Sequence, residues 1–258
     1  MHIEPIKSLK DNYIWIIKDT EGLTVIDPGT ADGVLEFSQK NGVNVTHILL
    51  THHHWDHING VQKLLDHFPS AKVTGPKSLS NAFMLNTIIE KDTEVFRSVN
   101  PVRDWHILHT PGHTLDHICY YHDGYLFPGD TVFSGGCGRI FEGSHEQMYN
   151  SLSKITKLPL ETKIYPAHEY TLDNLLFAEK IYPNSKYLQQ YKANTLDKHS
   201  KNQPSLPTTL QQEKLINPFF KAHEVETRRK IEMITKKSYQ DALEVFVALR
   251  NIKDKFQS

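Results

Sequence analysis

The sequence has little cysteine, little net charge and no long apolar run. Its two cysteines, Cys119 and Cys137, are too few for a disulfide framework and form no C-x-x-C pair, which is typical of a reducing compartment. The formal net charge of −1 indicates no chain-wide attraction to nucleic acid or to an anionic membrane. No stretch of about 18 uncharged apolar residues is present, so we expect no membrane span.

The N-terminus also lacks the features of an export signal. Residues 1–19 contain no basic segment followed by a long apolar run. Together with the sparse cysteine, this predicts a cytoplasmic protein. The chain contains no coiled-coil seam and no long apolar stretch suited to an exposed interface, so we expect a monomer that binds neither nucleic acid nor membrane.

Apolar and aromatic residues, by contrast, are plentiful. They make up 38% and 10% of the 258 residues, which is enough to bury a core and argues against global disorder. The length predicts one large domain or two modest ones. The unusual feature is histidine, of which there are 16. Histidine can ligate a metal, carry a proton or simply pack, so its position in the chain has to decide.

Short strands alternate with helices as far as residue 168, and helices dominate after it. Ser144, with Glu or Gln close behind, predicts the capped start of a helix of about a dozen residues. The polar segment 201–217, which contains Pro204 and Pro207, is predicted to be a connecting loop. The helices predicted after residue 168 are 171–181, 185–199, 218–235 and 238–254. The pattern therefore predicts an α/β (α+β) domain followed by an all-helical region.

The strongest local signal is T-H-H-H-W-D-H at 51–57, between a predicted strand at 47–51 and a predicted helix at 58–67. In an extended segment His52, His54 and Asp56 share one face, and His57 follows at the turn into the helix. Converging imidazoles repel each other when protonated and leave polar nitrogens to satisfy when neutral. A divalent cation resolves both problems, and nitrogen and carboxylate ligands suit zinc, iron or manganese.

Three later segments place a similar side chain just past a predicted strand. They contribute His113 in T-P-G-H-T, Asp130 in P-G-D-T and His168 in P-A-H-E-Y. Loops at strand ends commonly gather into sites over a rigid scaffold. Seven ligands are too many for one tetrahedral ion but suit two ions that share a bridging carboxylate. The sequence therefore predicts a two-metal site.

These motifs resemble those of the metallo-β-lactamase superfamily. The fuller strings T-H-H-H-W-D-H, T-P-G-H-T, F-P-G-D-T-V-F-S-G-G-C-G-R, F-E-G-S and P-A-H-E-Y-T are similar to the glyoxalase II (hydroxyacylglutathione hydrolase) family, along essentially the whole chain. The resemblance implies a four-layer αβ/βα sandwich with a C-terminal all-helical domain. It places the catalytic domain at 1–168 and the helical, glutathione-binding domain at 169–258.

The resemblance also implies a ligand set and a reaction. One metal takes His52, His54 and His113, the other takes Asp56, His57 and His168, and Asp130 bridges them. We expect two divalent ions, most simply zinc, with iron or manganese as alternatives. A metal-bridging water then supplies hydroxide that attacks the thioester S-D-lactoylglutathione and releases glutathione and D-lactate. Asp56 is a candidate acceptor of the water's proton.

Five further residues match glutathione contacts of the family. Tyr170 is the tyrosine of H-E-Y-T, and Arg250 and Lys253 match a basic pair near the C-terminus. Arg139 and Phe141 stand where the animal enzymes have Lys and Tyr. Arg139 keeps the charge and can grip a carboxylate with two hydrogen bonds, whereas Phe141 lacks the hydroxyl. On spacing alone, Arg250 and Lys253 also fit a solvated helix end.

Other interpretations remain open at this point. Another enzyme of the superfamily, such as a β-lactamase, a lactonase or a persulfide dioxygenase with one iron, would keep the same ligand motif. A nuclease on the same scaffold would need a basic groove, and a non-catalytic metal module would need a closed four-ligand site. The glycine-rich segment 134–139 lacks the spacing of a phosphate loop and is predicted to be a flexible loop over the site. His53 is predicted to pack beside the ligands or to support one of them. His117 is predicted to be structural, with support of a ligand as the alternative.

Overall fold

The computed structural model describes residues 2–90, 93–99 and 102–256. The chain divides into two compact units. Unit 1 consists of Met1–His109 and Asp116–Gly129, and unit 2 consists of Thr110–Leu115 and Asp130–Ser258. Unit 1 is built around β-sheet, and unit 2 is built mainly from helices. Among the described residues, no helix combines the length and the apolar composition that crossing a bilayer requires.

Unit 1 contains a six-stranded sheet whose strands follow one another in chain order. They are β1 (His2–Ser8), β2 (Asn12–Asp19), β3 (Gly22–Ile26), β4 (Val45–Leu49), β5 (Lys72–Pro76) and β6 (Thr87–Ile89). The first three strands are antiparallel, whereas β3 to β6 run parallel. The connections carry α1 (Asp32–Asn41), α2 (Trp55–Ile58), α3 (Val61–His67) and a 3-10 turn at Lys77–Asn81.

Burial on both faces explains the apolar runs of this sheet. Every residue of β3 is buried, so the strand reads as a continuous run rather than an alternating pattern. The core of the sheet comprises Ile14, Ile16, Leu23, Val25, Ala31, Val34, Val45, Ile48, Leu50, Val61, Leu64, Ala71, Val73 and Leu79. The parallel strands β3 and β4 end at the same edge of the sheet. Asp27 and the segment 51–57 follow these two strand ends, which brings them together.

A second, antiparallel group of strands completes unit 1. Its strands are β7 (Thr93–Val99), β8 (Val102–His109), β9 (Ile118–His122) and β10 (Tyr125–Phe127), and each pairs with the next. The buried Tyr120 on β9 donates its hydroxyl hydrogen bond to the Leu50 carbonyl oxygen at 2.9 Å. Burial raises the pKa of Tyr120 well above its ordinary value, so the hydroxyl stays a donor.

Unit 2 contains two short strand pairs and six helices within the described residues. The pairs are β11 (Val132–Phe133) with β12 (Gly136–Cys137), and β13 (Lys163–Ile164) with β14 (Thr208–Thr209). The helices are α4 (His145–Ile155), α5 (Thr171–Ile181), α6 (Lys186–Ser200), α7 (Leu210–Ile216), α8 (Val225–Thr235) and α9 (Ala242–Asp254), with a 3-10 turn at Pro218–Lys221.

The prediction of a loop over 201–217 is wrong in its second half. Thr208–Thr209 pairs with β13, and Leu210–Ile216 forms α7. Thr209 caps this helix, because its side chain accepts a hydrogen bond from the Gln212 backbone N–H. The two prolines, Pro204 and Pro207, precede the helix and set only where it begins. Polar composition therefore concealed a short helix whose buried face consists of few residues.

Two predicted helices are each divided in the structure. The segment 58–67 is split by Gly60 between α2 and α3, where a β-carbon would overlap the backbone of Thr30 and Pro28. The segment 218–235 begins as the 3-10 turn at Pro218–Lys221, and α8 starts only at Val225. The interpretation of 134–139 as a flexible loop is also wrong. These residues belong largely to the β11–β12 hairpin, and residues 132–138 are buried.

Candidate metal centre

The segment 51–57 changes from extended chain to helix earlier than predicted, before Asp56 rather than at His57. His54 is extended, with φ −64° and ψ 143°, and precedes α2, which begins at Trp55. Asp56 and His57 therefore both lie in the first turn of a helix, and the expected strand-like alternation ends at His54. The outcome for chemistry is the same, because His52, His54, Asp56 and His57 still face one another.

Within unit 1 these four side chains are in direct contact. His52 Nε2 lies 3.1 Å from His54 Nδ1, and the rings of His52 and His57 are 4.1 Å apart between centroids. His57 Nε2 lies 3.6 Å from Asp56 Oδ2. His52 and His57 are buried, whereas His54 and Asp56 are partly exposed. Three imidazoles and a carboxylate at these distances form the type of donor set that a divalent cation stabilises.

Asp27 fixes the orientation of this group and was missed by the sequence analysis. Its Oδ1 accepts from the Thr51 backbone N–H at 2.8 Å, and its Oδ2 accepts from the Thr51 hydroxyl at 2.7 Å. Oδ2 also lies 3.0 Å from His57 Nδ1. Because a carboxylate can only accept here, His57 donates from Nδ1 and directs its Nε2 lone pair toward Asp56. Asp27 also follows a strand end, the same signal that identified His113, Asp130 and His168.

Asn12 plays the corresponding part for Asp56. Its amide donates to Asp56 Oδ2 at 3.0 Å and to the Asp56 backbone carbonyl at 3.3 Å. Gly29 packs against the same turn, and a β-carbon there would overlap the Asp56 carbonyl oxygen. The start of α2 is therefore held on two sides, and nothing in the local sequence around Asn12 indicates this contact.

His53 and His117 both lie beside ligand candidates, which favours the alternative interpretation for His117. The buried His117 stacks on His52, with 4.9 Å between ring centroids and 27° between planes. His53 Nδ1 lies 3.9 Å from Asp116 Oδ1, and its ring centroid lies 5.3 Å from that of His54. Both histidines support the neighbouring residues through packing.

Unit 2 brings its own three ligand candidates together around a carboxylate. His113 Nε2 lies 3.4 Å from Asp130 Oδ2, and His168 Nε2 lies 3.4 Å from Asp130 Oδ1. All three side chains are buried. Each oxygen of Asp130 thus faces a different imidazole, which is the arrangement expected of a carboxylate that bridges two ions.

The rings of His113 and His168 are oriented by their neighbours. His113 Nδ1 donates to the Arg139 backbone carbonyl at 2.7 Å, which directs Nε2 toward Asp130. The ring of Phe141 lies edge-on to His113, with 5.3 Å between centroids. Tyr170 stacks on His168 at 4.7 Å and 9°. Two of the predicted glutathione contacts, Phe141 and Tyr170, therefore touch predicted metal ligands.

The predicted basic contacts have different surroundings. The side chain of Arg139 is 61% exposed, with Nε 3.8 Å from Asp254 Oδ1. Arg250, by contrast, is buried: its Nη1 donates to the Cys137 carbonyl at 3.0 Å, and its Nη2 lies 2.9 Å from Asp254 Oδ1. The alternative interpretation of Arg250 as part of a solvated helix end is therefore wrong, because its guanidinium is engaged inside unit 2.

Lys253 is half-buried between aromatic rings. Its Nζ lies 5.3 Å from the ring centroid of Phe177 and 5.4 Å from that of Phe256, and it donates to the Asp173 carbonyl at 3.3 Å. Burial, reinforced by the positive charge of Arg250, lowers the pKa of Lys253 to about 8. Its charge therefore changes in a pH range that enzyme assays can reach.

The donor chemistry of both units fits divalent metal ions. The candidates are five imidazoles and two carboxylates, with no thiolate among them. Of the two cysteines, Cys137 is buried and its sulfur accepts from Arg250, and burial raises the pKa of this thiol. Nitrogen and oxygen donors without sulfur are typical of open catalytic sites for zinc, iron or manganese rather than closed structural zinc sites.

Comparison with known proteins gives matches over nearly the whole chain. Residues 10–168 match the model of the metallo-β-lactamase superfamily, and residues 169–256 match that of the hydroxyacylglutathione hydrolase C-terminus. The hydroxyacylglutathione hydrolase of Vibrio campbellii is 45% identical over 259 residues, which cover 99% of this chain and 100% of that protein.

Solved structures confirm the predicted fold class. ETHE1 from Myxococcus xanthus superposes with a TM-score of 0.64 at 25% identity, over 98% of this chain and 100% of that one. TTHA1623, determined in a di-iron-bound form, superposes with a TM-score of 0.58 at 23% identity, over 84% of this chain and 99% of that one. The fold is the metallo-β-lactamase sandwich, followed by a C-terminal helical region.

Proposed function

The chain belongs to the hydroxyacylglutathione hydrolase family of the metallo-β-lactamase superfamily, and we propose how its side chains perform the family's reaction. It is a hydrolase of S-2-hydroxyacylglutathione thioesters. With water it converts S-D-lactoylglutathione to glutathione and D-lactate, the second step of methylglyoxal detoxification. The membership and the reaction expected from the motifs are thereby confirmed.

The His and Asp groups and the superfamily membership indicate a dinuclear metal site. We propose that His52, His54 and His113 hold one ion, that Asp56, His57 and His168 hold the other, and that Asp130 bridges them. Within unit 1, His52 contacts His54 and His57 contacts Asp56, which supports the part of each set that this unit supplies. The placement of one imidazole against each oxygen of Asp130 supports the bridge.

We propose zinc as the metal. Five nitrogen and two carboxylate donors suit zinc well, but iron and manganese accept the same set, and one structural relative was determined with two irons. Element analysis of protein purified without added metal, from cells grown in media of defined zinc, iron and manganese content, tests this. Two equivalents of iron or manganese in balanced medium would contradict the assignment to zinc.

Two divalent ions in such a site lower the pKa of a water molecule toward neutrality and stabilise negative charge on a carbonyl oxygen. The residues of the chain supply orientation and proton transfer. Asp27 holds the Nδ1 proton of His57, and Arg139 O holds that of His113, so both rings keep one tautomer. Asn12 occupies Asp56 Oδ2, and we propose that the carboxylate of Asp56 accepts the proton from water.

The bond changes need no general acid. A bond forms between the water oxygen and the thioester carbonyl carbon, and the bond between that carbon and sulfur breaks. Glutathione leaves as a thiolate, whose conjugate thiol has an ordinary pKa near 8.5 and is therefore a good leaving group. This agrees with the absence of a dedicated acid among the motifs.

We propose that residues 1–168 form the catalytic domain and 169–258 the glutathione-binding domain. The two family models meet between residues 168 and 169, which supports this division in terms of sequence. The proposed glutathione contacts are Arg139, Phe141, Tyr170, Arg250 and Lys253. Arg139 and Lys253 provide the exposed and half-buried positive charges that suit the two carboxylates of glutathione.

The deciding experiment follows the loss of thioester ultraviolet absorbance with S-D-lactoylglutathione, before and after chelation. We expect turnover that a chelator abolishes and added zinc restores, with two ions bound per active chain. A lactone and a β-lactam serve as control substrates. Protein that carries two ions but cleaves a control substrate and leaves the thioester intact would contradict the proposed assignment of the glutathione contacts.

A further inference from the structure

Glu213 is a fully buried carboxylic acid in the helix that sequence analysis missed. Its Oε1 accepts from the Ser134 hydroxyl at 2.9 Å and the Thr208 hydroxyl at 2.8 Å. Its Oε2 accepts from the Gly135 backbone N–H at 2.8 Å and the Asn217 amide at 3.1 Å. Burying a carboxylate costs free energy, even where hydrogen bonds compensate part of that cost. The presence of a buried carboxyl group with four donors around it therefore suggests that its position matters.

Two of these donors, Ser134 and Gly135, form the tip of the β11–β12 hairpin. Three side chains of the helical region donate hydrogen bonds to backbone carbonyl oxygens of the same hairpin. Asn217 donates to the Gly136 carbonyl at 2.9 Å, Asn174 donates to the Ser134 carbonyl at 3.1 Å, and Arg250 donates to the Cys137 carbonyl. The tip itself needs a left-handed residue, since Gly135 has φ 71°.

The two ends of the hairpin carry parts of the metal centre. Asp130, the proposed bridging ligand, lies two residues before β11. Arg139, whose carbonyl accepts the Nδ1 hydrogen bond of His113, lies two residues after β12. The Gly138 N–H donates to the Thr131 carbonyl and joins the ends, and a β-carbon on Gly138 would overlap the Asp130 carbonyl oxygen. A shift of the hairpin therefore moves Asp130 and reorients His113.

We infer that Glu213 is a positioning residue for the metal centre, which acts through the β11–β12 hairpin on the bridging carboxylate of Asp130 and on the ring of His113. The inference rests on the proposed function for these two ligands. It gives the helical region a task beyond binding glutathione, namely to hold a metal-bearing loop. The Gly135 N–H and the Asn217 amide N–H can only donate, whereas an amide at position 213 would turn its own N–H groups toward the Ser134 and Thr208 hydroxyls and change these two from donors to acceptors.

Glu213→Gln tests this with the full-length protein. Its matched control is Tyr182→Phe, which removes another buried hydrogen bond of unit 2, to the Thr227 hydroxyl at 2.6 Å, without touching the hairpin. The readouts are metal affinity by chelator competition, the visible spectrum of the cobalt-substituted protein, and the split between kcat and KM. Loss of a hydrogen-bond partner behind a ligand lowers metal affinity or activity about 10–100-fold.

We expect Glu213→Gln to lower metal affinity and kcat by about that factor, to leave KM nearly constant and to shift the cobalt spectrum. Tyr182→Phe should lower only the melting temperature. A Glu213→Gln protein that matches Tyr182→Phe in all three readouts would overturn the inference. The cobalt spectrum and the metal affinity are measured without turnover. They therefore test the role of Glu213 even if the wild-type protein does not cleave the thioester and the proposed function is wrong.

Two milder variants cover the case in which Glu213→Gln does not fold. Ser134→Ala removes one donor at the hairpin, and Thr208→Val removes one donor on the opposite side of the same carboxylate. We expect both to shift the cobalt spectrum in the same direction, with the larger effect from Ser134→Ala. Wild-type spectra and wild-type metal affinity in both variants would count against a positioning role.

Discussion

At the scale of single residues, the proposed metal ligands are oriented by residues that lie outside their own sequence motifs. Asp27 accepts from Thr51 and from His57 Nδ1, and its φ of 50° places it in the left-handed region. Asparagine tolerates this conformation and has nearly the same shape, so Asp27→Asn changes charge and hydrogen bonding with little change in backbone. The substitution therefore isolates the effect of the acceptor.

We expect Asp27→Asn to lower metal affinity about 10–100-fold, because the His57 ring loses the acceptor that fixes its tautomer. Competition with a chromogenic chelator measures this. Asp32→Asn is the control, since Asp32 is an exposed carboxylate of α1 that pairs with Lys63 at the surface. Equal affinity of the two variants for both ions would show that Asp27 has no influence on the ligands.

The charge of Lys253 gives a prediction about pH. Its pKa is lowered from 10.5 to about 8, first by burial and then by the positive charge of Arg250. Lys253 is therefore positively charged below pH 8 and loses its charge as the pH rises through this value. If Lys253 binds a glutathione carboxylate, loss of its charge weakens substrate binding. KM for S-D-lactoylglutathione should therefore rise between about pH 7 and pH 9, the range over which a group with a pKa of about 8 loses its proton.

Lys253→Arg supplies the comparison, because an arginine stays charged at every pH of the assay. KM of this variant should change less with pH than that of the wild type, and Lys253→Met should give a high KM at every pH. Any change in KM that comes from titration of the substrate's own groups is the same for all three proteins, so it cancels when their pH profiles are compared. Parallel pH profiles for wild type and Lys253→Arg would rule out a role for the lysine charge.

At the scale of elements, local signals predicted the ends of α8 and α9 correctly, at Thr235 and Asp254, but placed their starts seven and four residues too early. The start of α4, which a side-chain cap marks, was predicted correctly. Ser144 and Gln147 form a full capping box on α4, with Ser144 Oγ accepting from Gln147 N and Gln147 Oε1 accepting from Ser144 N. Ser144→Ala should lower the free energy of unfolding by about 1 kcal/mol. Urea titration measures this, with Ser153→Ala, which loses a bond to the Tyr149 carbonyl inside the same helix, as control.

Equal free energies of unfolding for Ser144→Ala and Ser153→Ala would contradict the capping prediction. Metal affinity should remain at the wild-type value in both, because neither hydroxyl contacts a ligand candidate in the structure of unit 2. A drop in metal affinity for Ser144→Ala would instead connect the start of α4 with the preceding loop, where Gly143 packs on Gly112 beside His113.

The contrast between α4 and α7 shows what sequence can predict and why. The ligand segments and the cap of α4 depend on residues a few positions apart, so spacing alone identifies them. In helix α7, Glu213 accepts a hydrogen bond from Ser134, which lies 79 positions earlier in the chain. Asp27 and His57, which are also hydrogen-bonded, lie 30 positions apart. No periodicity encodes such contacts. The seven proposed ligands could therefore be identified from motifs, whereas Asn12 and Asp27, which contact them, and Glu213, which we infer to support them, could not.

At the scale of the whole molecule, the division by family and the division by packing differ. The family models meet at residues 168 and 169, but unit 2 includes Asp130–Ser258 together with Thr110–Leu115. Three of the proposed ligands, His113, Asp130 and His168, thus belong to the same compact unit as the C-terminal helices. A boundary in sequence need not be a boundary in folding, because a domain must carry its own core.

This predicts that residues 1–168 do not form an independent metalloprotein. The fragment lacks Asn174, Glu213, Asn217 and Arg250, which hold the β11–β12 hairpin between Asp130 and Arg139. We expect it to bind fewer than two ions and to cleave no thioester, as measured by element analysis and the ultraviolet assay. Co-expression with residues 169–258 is the control and should restore both. A 1–168 fragment that binds two ions at full-length affinity and melts at the full-length temperature would show that the hairpin needs no support from the helices.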